Sequence, residues 1–190
     1  MINSELTNQL MKNKKPTILL HACCAPCATV AIELMRDDYD ITIYFYNPNI
    51  TEAVEYEARL TAIKELVSLY SIKLIAEEYD TKKFDLISTG LESEPEKGKR
   101  CYECYKMRLE KTAIMREEEN IFFFATTLTT SPYKNNEWIN EIGENLSNKY
   151  INTNFKKNNG YQKSIELSKK YKLYRQNYCG CRYSKGRLGK

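Results

Sequence analysis

The sequence predicts an α/β protein in which helices flank a parallel β-sheet. Short runs of β-favouring residues alternate along the chain with longer segments of helical periodicity. Two of these runs, at 17–22 and 121–125, are mostly or continuously apolar, as is typical of strands buried on both faces of a parallel sheet. Such strands are joined by right-handed crossovers. With 190 residues, 42% of them hydrophobic, the chain can bury one core, so we expect a single domain.

The first half of the chain predicts three strands and two helices. Strand one, at 17–22, ends in a cysteine-rich turn, and Pro26 suits the first turn of the helix that follows. The second strand, at 40–46, is closed by the turn-like Asn47-Pro48-Asn49. The third strand is expected at 72–76.

A helix is predicted between the second and third strands, from Thr51 as its N-cap to Tyr70. Four apolar residues at four-residue spacing mark its buried face: Val54, Ala58, Ala62 and Leu66.

The second half predicts four helices and one strand, separated by polar segments. The strand at 121–125 is the best candidate for full burial because it is a continuous run of β-favouring apolar residues. The helices are expected at 82–88, 101–118, 135–148 and 161–171, with a charged loop at 90–100, a polar turn at 126–134 and an extended piece at 150–154.

Seven cysteines against one histidine are the most unusual feature of the composition. The first sixteen residues contain no apolar stretch of the kind found in secretory leaders, and no segment is long and apolar enough for a membrane span. We therefore expect a cytoplasmic protein without membrane contact. In a reducing compartment, clustered thiols indicate metal or redox chemistry rather than structural disulfides.

The cysteines form three groups: Cys23-Cys24 with Cys27, Cys101 with Cys104, and Cys179-Gly180-Cys181. The first group follows strand one, and ligands of open α/β sheets bind outside the carboxyl ends of the strands. The Cys24/Cys27 and Cys101/Cys104 pairs each lie at a predicted helix start, where free backbone N–H groups favour thiolate. Two helix starts that carry thiolates could converge on one cluster.

The spacing of the cysteines serves zinc or an iron–sulfur cluster almost equally well. Gly180 permits a tight turn, so Cys179 and Cys181 could form a redox-active disulfide. Alternatively, these two cysteines and Cys27 could hold a second metal with a position open for substrate oxygen. His21 is expected to be buried and hydrogen-bonded rather than a ligand or proton donor.

Polar and basic segments provide candidate substrate contacts. Thr126, Thr127, Tyr133 and Lys134 lie at the carboxyl end of the strand at 121–125, where their polar groups could bind a sugar or phosphate. Residues 149–190 contain twelve Lys or Arg residues and one acid, a net charge of +11 against −7 for residues 1–148. This segment predicts contact with a polyanion, although a solvated surface would have the same composition.

Four motifs in order resemble the epoxyqueuosine reductase QueH family. They are LLHACCAPC at 19–27, RCYECYKMRL at 100–109, ATTLTTSPYKN at 125–135 and GYQKSIELSKKYKLYRQNYCGCRYS at 160–184. The resemblance covers 17–184 and leaves an N-terminal extension at 1–16 and a basic tail at 185–190. It implies a Rossmann-like (HUP-like) fold and the reduction of epoxyqueuosine to queuosine at the wobble position of tRNA anticodons.

The resemblance also implies a 4Fe-4S cluster, an external electron donor and a second redox or metal element of iron or zinc. By analogy, Cys23, Cys24, Cys101 and Cys104 become the cluster ligands. Cys179 and Cys181 become the redox pair or, together with Cys27, the second metal site. The residues expected to contact the tRNA are Thr126, Thr127, Tyr133, Lys134, Arg175, Gln176 and Arg182.

Two rival functions follow from the same residues. The first is a zinc-stabilised tRNA-binding module without catalysis, which would use only four of the thiols. The second is an ATP-dependent sulfur-transfer enzyme that acts on tRNA. The sequence disfavours ATP use because Cys-Cys-Ala-Pro-Cys stands after strand one, where a glycine-rich nucleotide loop would be expected.

Overall fold

The computed structural model describes residues 15–185, which fold around a four-stranded parallel sheet of order β3-β2-β1-β4. The predicted α/β class is confirmed. The proposed extension lies outside the described residues except for its last two positions, and only the first residue of the proposed basic tail lies within them. The strands are β1 (Thr17–His21), β2 (Asp40–Phe45), β3 (Lys73–Ala76) and β4 (Phe123–Thr126).

The strand order reverses at β1. The chain runs outward from β1 through β2 to β3 and then returns to place β4 on the other side of β1. In the register of the sheet, His21 at the end of β1 stands between Tyr44 of β2 and Thr126 of β4. The carboxyl ends of β1 and β4 therefore form the crevice where open α/β sheets bind their ligands.

Helices cover both faces of the sheet. They are α1 (Ala25–Met35), α2 (Ala53–Tyr70), α3 (Lys82–Ser88), α4 (Lys99–Glu118), α5 (Asn136–Leu146) and α6 (Gly160–Lys170), with 3-10 helices at Thr127–Thr130 and Arg182–Ser184.

The side chains of β1 alternate between the two faces. Ile18 and Leu20 pack in the core beneath α1 and α2, whereas Leu19 packs with Leu109 of α4 and Ile139 of α5. Both faces of the strand are buried, which explains the unbroken apolar run Ile18-Leu19-Leu20 at its centre.

The start and the buried face of α2 differ from the prediction. The helix begins at Ala53, and its N-cap is Glu52 rather than Thr51, without a side-chain capping bond. Of the residues predicted for the buried face, Ala62 and Leu66 are buried as expected. Val54 is 84% exposed, because the stripe that faces the sheet also runs through Tyr56, Leu60 and Ile63. Four-residue spacing alone fits more than one face of a helix, and contact with β2 selects this one.

The run at 121–125 is only partly a buried strand. β4 begins at Phe123, which pairs with Ile18, because the chain reaches β1 only at that point. Phe122 is half exposed, so full burial of this run is a wrong prediction. The extended piece at 150–154 contributes a single bridge, from Tyr150 to Phe124.

None of the helices between residues 15 and 185 has both the length and the apolar character that a membrane crossing requires.

Candidate active site

The first cysteine group lies in the crevice at the carboxyl end of β1. Cys24 is the N-cap of α1, with extended backbone at φ −166° and ψ 150°, and Pro26 occupies the first turn. Cys23 precedes this cap and Cys27 follows within the first turn, so all three thiols are buried at one helix start. The sulfurs of Cys23 and Cys24 are 3.9 Å apart.

The second group lies on the first turns of α4, as predicted. Cys101 packs in the same cluster of side chains as Cys23, Cys24 and Cys27. Cys104 is one turn further along and packs against Cys181. The start of α4 thus joins the first cysteine group to the third.

The third group lies in a loop that α2 holds in place. Gly180 has φ +107°, and its carbonyl accepts a hydrogen bond from the Thr51 amide. The guanidinium of Arg59 donates to the carbonyls of Cys179 and Tyr178, at 3.1 Å each. The same guanidinium pairs with Glu55 at 2.7 Å.

Four buried cations lie near the thiols: Arg59, Arg100, Arg108 and Lys134. Nη2 of Arg108 donates to Asn47 Oδ1 at 2.8 Å, and its Nε lies 3.3 Å from His21 Nε2. The ammonium of Lys134 donates to the sulfur of Cys179 at 3.6 Å.

Sequence reasoning selected Lys134 but missed Arg59 and Arg108. A helical-face argument could have found Arg108, because it lies four residues after Cys104 and seven after Cys101 and therefore on their side of α4. Arg59 lies three residues after Tyr56 and four before Ile63, on the buried stripe of α2.

The thiol pKa values fall into two classes. Thiol hydrogen bonds from Cys24 and Cys27 lower the pKa of Cys23 well below its usual value, with help from Arg108 and Lys134. The hydrogen bond from Cys181 lowers the pKa of Cys179 in the same way, and Lys134 adds to the effect. Cys23 and Cys179 are therefore the thiols that ionise most easily.

The remaining thiols hold their protons more tightly. The pKa of Cys24 is raised to about 12 and that of Cys27 is also raised, mainly through the hydrogen bonds that both share with Cys23. Burial raises the pKa of Cys101 and brings that of Cys104 to about 11. At Cys24 and Cys27 the shared hydrogen bonds, and at Cys101 and Cys104 burial, oppose the stabilisation of thiolate that the helix starts are expected to give.

His21 is buried in a hydrogen-bond network, as predicted. Its Nδ1 lies 2.9 Å from Thr126 Oγ1 and its Nε2 lies 3.1 Å from the Tyr46 carbonyl. Burial, followed by the charge of Arg108, lowers the pKa of His21 to about 3. The imidazole is therefore neutral near pH 7 and bridges β1, β4 and α4.

A cavity of about 200 Å³ opens beside the thiols. Its wall includes Cys23, Cys27 and Cys179 together with most of the polar residues that the sequence suggested for substrate contact: Thr127, Tyr133, Lys134, Arg175 and Gln176. Among the described residues, buried polar atoms of three of these have no partner: Thr127 Oγ1, Arg175 Nη1 and Gln176 Oε1. Such atoms are available to hydrogen-bond a ligand.

Two of the suggested contact residues do not line this cavity. The Thr126 hydroxyl accepts a hydrogen bond from the Leu128 amide and faces His21, so it stabilises the turn after β4. Arg182 lies apart in an ion pair with Asp85 at 2.5 Å.

The cysteines are all free thiols. The structure gives no support to a disulfide between Cys179 and Cys181. Within residues 15–185, no group of three or more Cys, His, Asp or Glu side chains is arranged so that it could hold a metal ion. The donor chemistry nevertheless fits an iron–sulfur cluster, because soft sulfur ligands from two helix starts meet in a buried region beside cations.

The fold and the site together define an α/β protein with a thiol centre at the switch point of a parallel sheet. The family model described as "Epoxyqueuosine reductase QueH" matches residues 18–187. The chain belongs to this family.

Curated relatives and one solved structure are similar to the chain. The epoxyqueuosine reductase QueH of Streptococcus pyogenes serotype M1 is 41% identical over 180 residues, which cover 90% of this chain and 71% of the relative. The Thermotoga maritima protein of the same name is 37% identical over 88% of this chain and 90% of the relative.

The solved structure is the U34-tRNA thiolase NcsA from Methanococcus maripaludis with its 4Fe-4S cluster. It aligns with a TM-score of 0.57 at 12% identity, over 92% of this chain and 63% of the thiolase chain. At this identity the similarity supports the Rossmann-like fold alone.

Proposed function

We propose that this protein is an oxidoreductase that converts epoxyqueuosine to queuosine in tRNA. The observation that carries the proposal is that three cysteine groups pack next to one another beside a cavity whose wall contains Cys23, Cys27 and Cys179, in a member of this family. Two of the groups come from helix starts and the third from a loop distant in sequence, so their meeting requires the whole fold.

The reaction removes the epoxide oxygen. Both C–O bonds break and a carbon–carbon double bond forms. The substrate takes up two electrons and two protons, and the oxygen departs as water. The site must therefore accept electrons from an external donor, deliver protons and stabilise negative charge on the departing oxygen.

A 4Fe-4S cluster would be held by four of the cysteines: Cys23, Cys24, Cys101 and Cys104. When bound, the cluster would supply electrons to the substrate one at a time. Of the four residues, Cys23 lines the cavity and Cys24 is almost fully buried behind it.

Lys134 is the residue best placed to assist the leaving oxygen. Its ammonium lies in the cavity wall, and the neighbouring Cys179 and Tyr105 raise its pKa despite the opposing effect of burial. The charged side chain can donate a hydrogen bond to developing negative charge. Thr127, Arg175 and Gln176 would orient the substrate through their unpartnered atoms, and Tyr133, 46% exposed at the rim, could stack on a base.

Cys27, Cys179 and Cys181 have two candidate roles in this scheme. In one, Cys179 and Cys181 cycle between dithiol and disulfide and pass electrons to the reaction. In the other, these two cysteines and Cys27 would hold a second metal, iron or zinc, which would supply a Lewis acid at the cavity. In both schemes Cys179 faces the cavity, where Lys134 favours its thiolate.

The test is a nucleoside assay with tRNA from a strain blocked at epoxyqueuosine. Anaerobically reconstituted protein and a chemical reductant should convert the modified nucleoside to queuosine. An unchanged nucleoside profile would overturn the proposal. Stoichiometric zinc without sulfide after reconstitution would favour a non-catalytic zinc module instead.

The same assay with two variants tests the division of the thiols. We expect Cys27→Ala and Cys179→Ala to lose activity but to retain the Mössbauer signal of a 4Fe-4S cluster. Loss of that signal in either variant would require a different ligand set. A second iron signal that disappears in both variants would favour the metal site over the dithiol.

A further inference from the structure

Among the four buried cations near the thiols, Arg108 and Lys134 lie beside sulfurs and have no carboxylate partner. Among the ion pairs of residues 15–185, none involves Arg108 or Lys134 within 4.0 Å. Of the other two cations, Arg59 is paired with Glu55. The guanidinium of Arg100 donates to the carbonyls of Leu91 and Glu92 and lies over the ring of Tyr183. The contacts of Arg108 with Asn47 and His21 are to neutral groups, which supply dipoles but no compensating charge.

A buried charge is costly unless an opposite charge offsets it. The side chain of Arg108 is almost fully buried, and Lys134 is 9% exposed. The groups beside them are sulfurs, since Lys134 contacts Cys179 and Arg108 lies one helical turn from Cys104. The compensating negative charge must therefore come from the thiol centre or from what it holds.

An iron–sulfur cluster on four thiolates carries net negative charge, because the thiolates outweigh the positive charge of the core. Reduction adds a further negative charge. A fixed cation nearby therefore stabilises the reduced form more than the oxidised form, which raises the reduction potential. An unpaired cation has a larger effect than a paired one, because no carboxylate cancels its field.

We propose that Arg108 and Lys134 are the built-in counter-charge of the thiol centre and raise its reduction potential. This inference rests on the proposed 4Fe-4S cluster but not on the identity of the substrate. Arg108 does not line the cavity, so it acts on the reaction through the centre as a positioning residue. Lys134 lies in the cavity wall and acts on both the centre and the substrate.

The experiment is a redox titration of the reconstituted protein without tRNA, followed by electron paramagnetic resonance. We expect Arg108→Gln to shift the midpoint potential to a more negative value, because the amide can still bond Asn47 but carries no charge. Arg108→Lys retains the charge and should stay close to the wild type. Arg116→Gln is the matched control, since Arg116 lies on the same helix beyond the thiols and pairs with Glu117.

Lys134→Gln tests the second cation and should shift the potential in the same direction. It also keeps the proposal falsifiable if Arg108→Gln does not fold. Variants that load the wild-type amount of iron and sulfide and keep the wild-type potential would overturn the counter-charge role. A wild-type protein that loads no cluster would overturn the proposed cofactor as well, whereas a failed nucleoside assay with a shifted potential would overturn the proposed substrate alone.

Discussion

Arg59 connects the sheet-facing side of α2 to the cysteine loop near the C-terminus. Its guanidinium donates to two consecutive carbonyls, those of Tyr178 and Cys179, and pairs with Glu55. The phenol of Tyr174 donates to the other oxygen of Glu55 at 2.7 Å, which extends the network along the same segment. Arg59 therefore holds the backbone at Cys179, whose thiol accepts a hydrogen bond from Lys134.

We expect Arg59→Gln to destabilise the protein by about 1–3 kcal/mol, because the carbonyls of Tyr178 and Cys179 lose the hydrogen bonds that Arg59 donates to them. The expected structural effect is local release of the loop. Alkylation of Cys179 by a small thiol reagent should therefore become faster, as measured by mass spectrometry. Lys64→Gln, at an exposed position of the same helix, should change neither quantity. Unchanged alkylation in a destabilised Arg59→Gln protein would show that the loop is held by other contacts.

At the scale of elements, the loop that carries Cys179 and Cys181 depends on the backbone of Gly180. A side chain is strained at its φ of +107°. A Cβ at this position would also lie 3.0 Å from Ile50 Cγ1 and 3.2 Å from Arg59 Nη2. The close approach fixes the loop against the turn after β2 and against α2.

Gly180→Ala should lower both stability and activity. The backbone conformation costs about 1–3 kcal/mol for a residue with a side chain, and the close contacts displace the loop further. Gly90→Ala is the matched control, because Gly90 also has positive φ, at +76°, but a Cβ there would meet nothing within 4 Å. We expect denaturant unfolding to show a cost for both variants and the nucleoside assay to show a loss for Gly180→Ala alone. Equal activity in the two variants would contradict this role of the loop.

At the scale of the whole molecule, charge is distributed unevenly along the chain. The basic segment at 149–190 includes α6, on which Lys163, Lys169 and Lys170 are exposed. The same helix carries Tyr161, which lines the cavity beside Arg175. A polyanion that lies along α6 could therefore place one of its bases at the cavity.

We expect tRNA binding to weaken as salt concentration rises, because cations of this segment displace counterions from the phosphates. Lys163→Gln should reduce the slope of log K against log salt by about 1 if Lys163 contacts one phosphate. Lys83→Gln, an exposed lysine of α3 outside the basic segment, should leave the slope unchanged. Fluorescence anisotropy over a salt series measures both slopes. Equal slopes in the two variants would indicate that the tRNA binds another face of the protein.

Much of the site was predictable because its signals are local in sequence. The spacing of Cys24 with Cys27 and of Cys101 with Cys104 places each pair at a helix start, and the structure confirms both positions. The mostly apolar run before Cys23 predicts a strand, and this strand places the first thiols at the carboxyl edge of the sheet.

The sequence by itself determined the α/β class, the approximate position of each element and the three cysteine groups, since periodicity and spacing are properties of neighbouring residues. Only the tertiary structure decided that β4 lies beside β1, that the first and third cysteine groups line one cavity, and that Val54 is exposed while Arg59 is buried. The same holds for the unpaired charges of Arg108 and Lys134. Burial and charge compensation depend on residues far apart in the chain, and no local pattern of sequence encodes them.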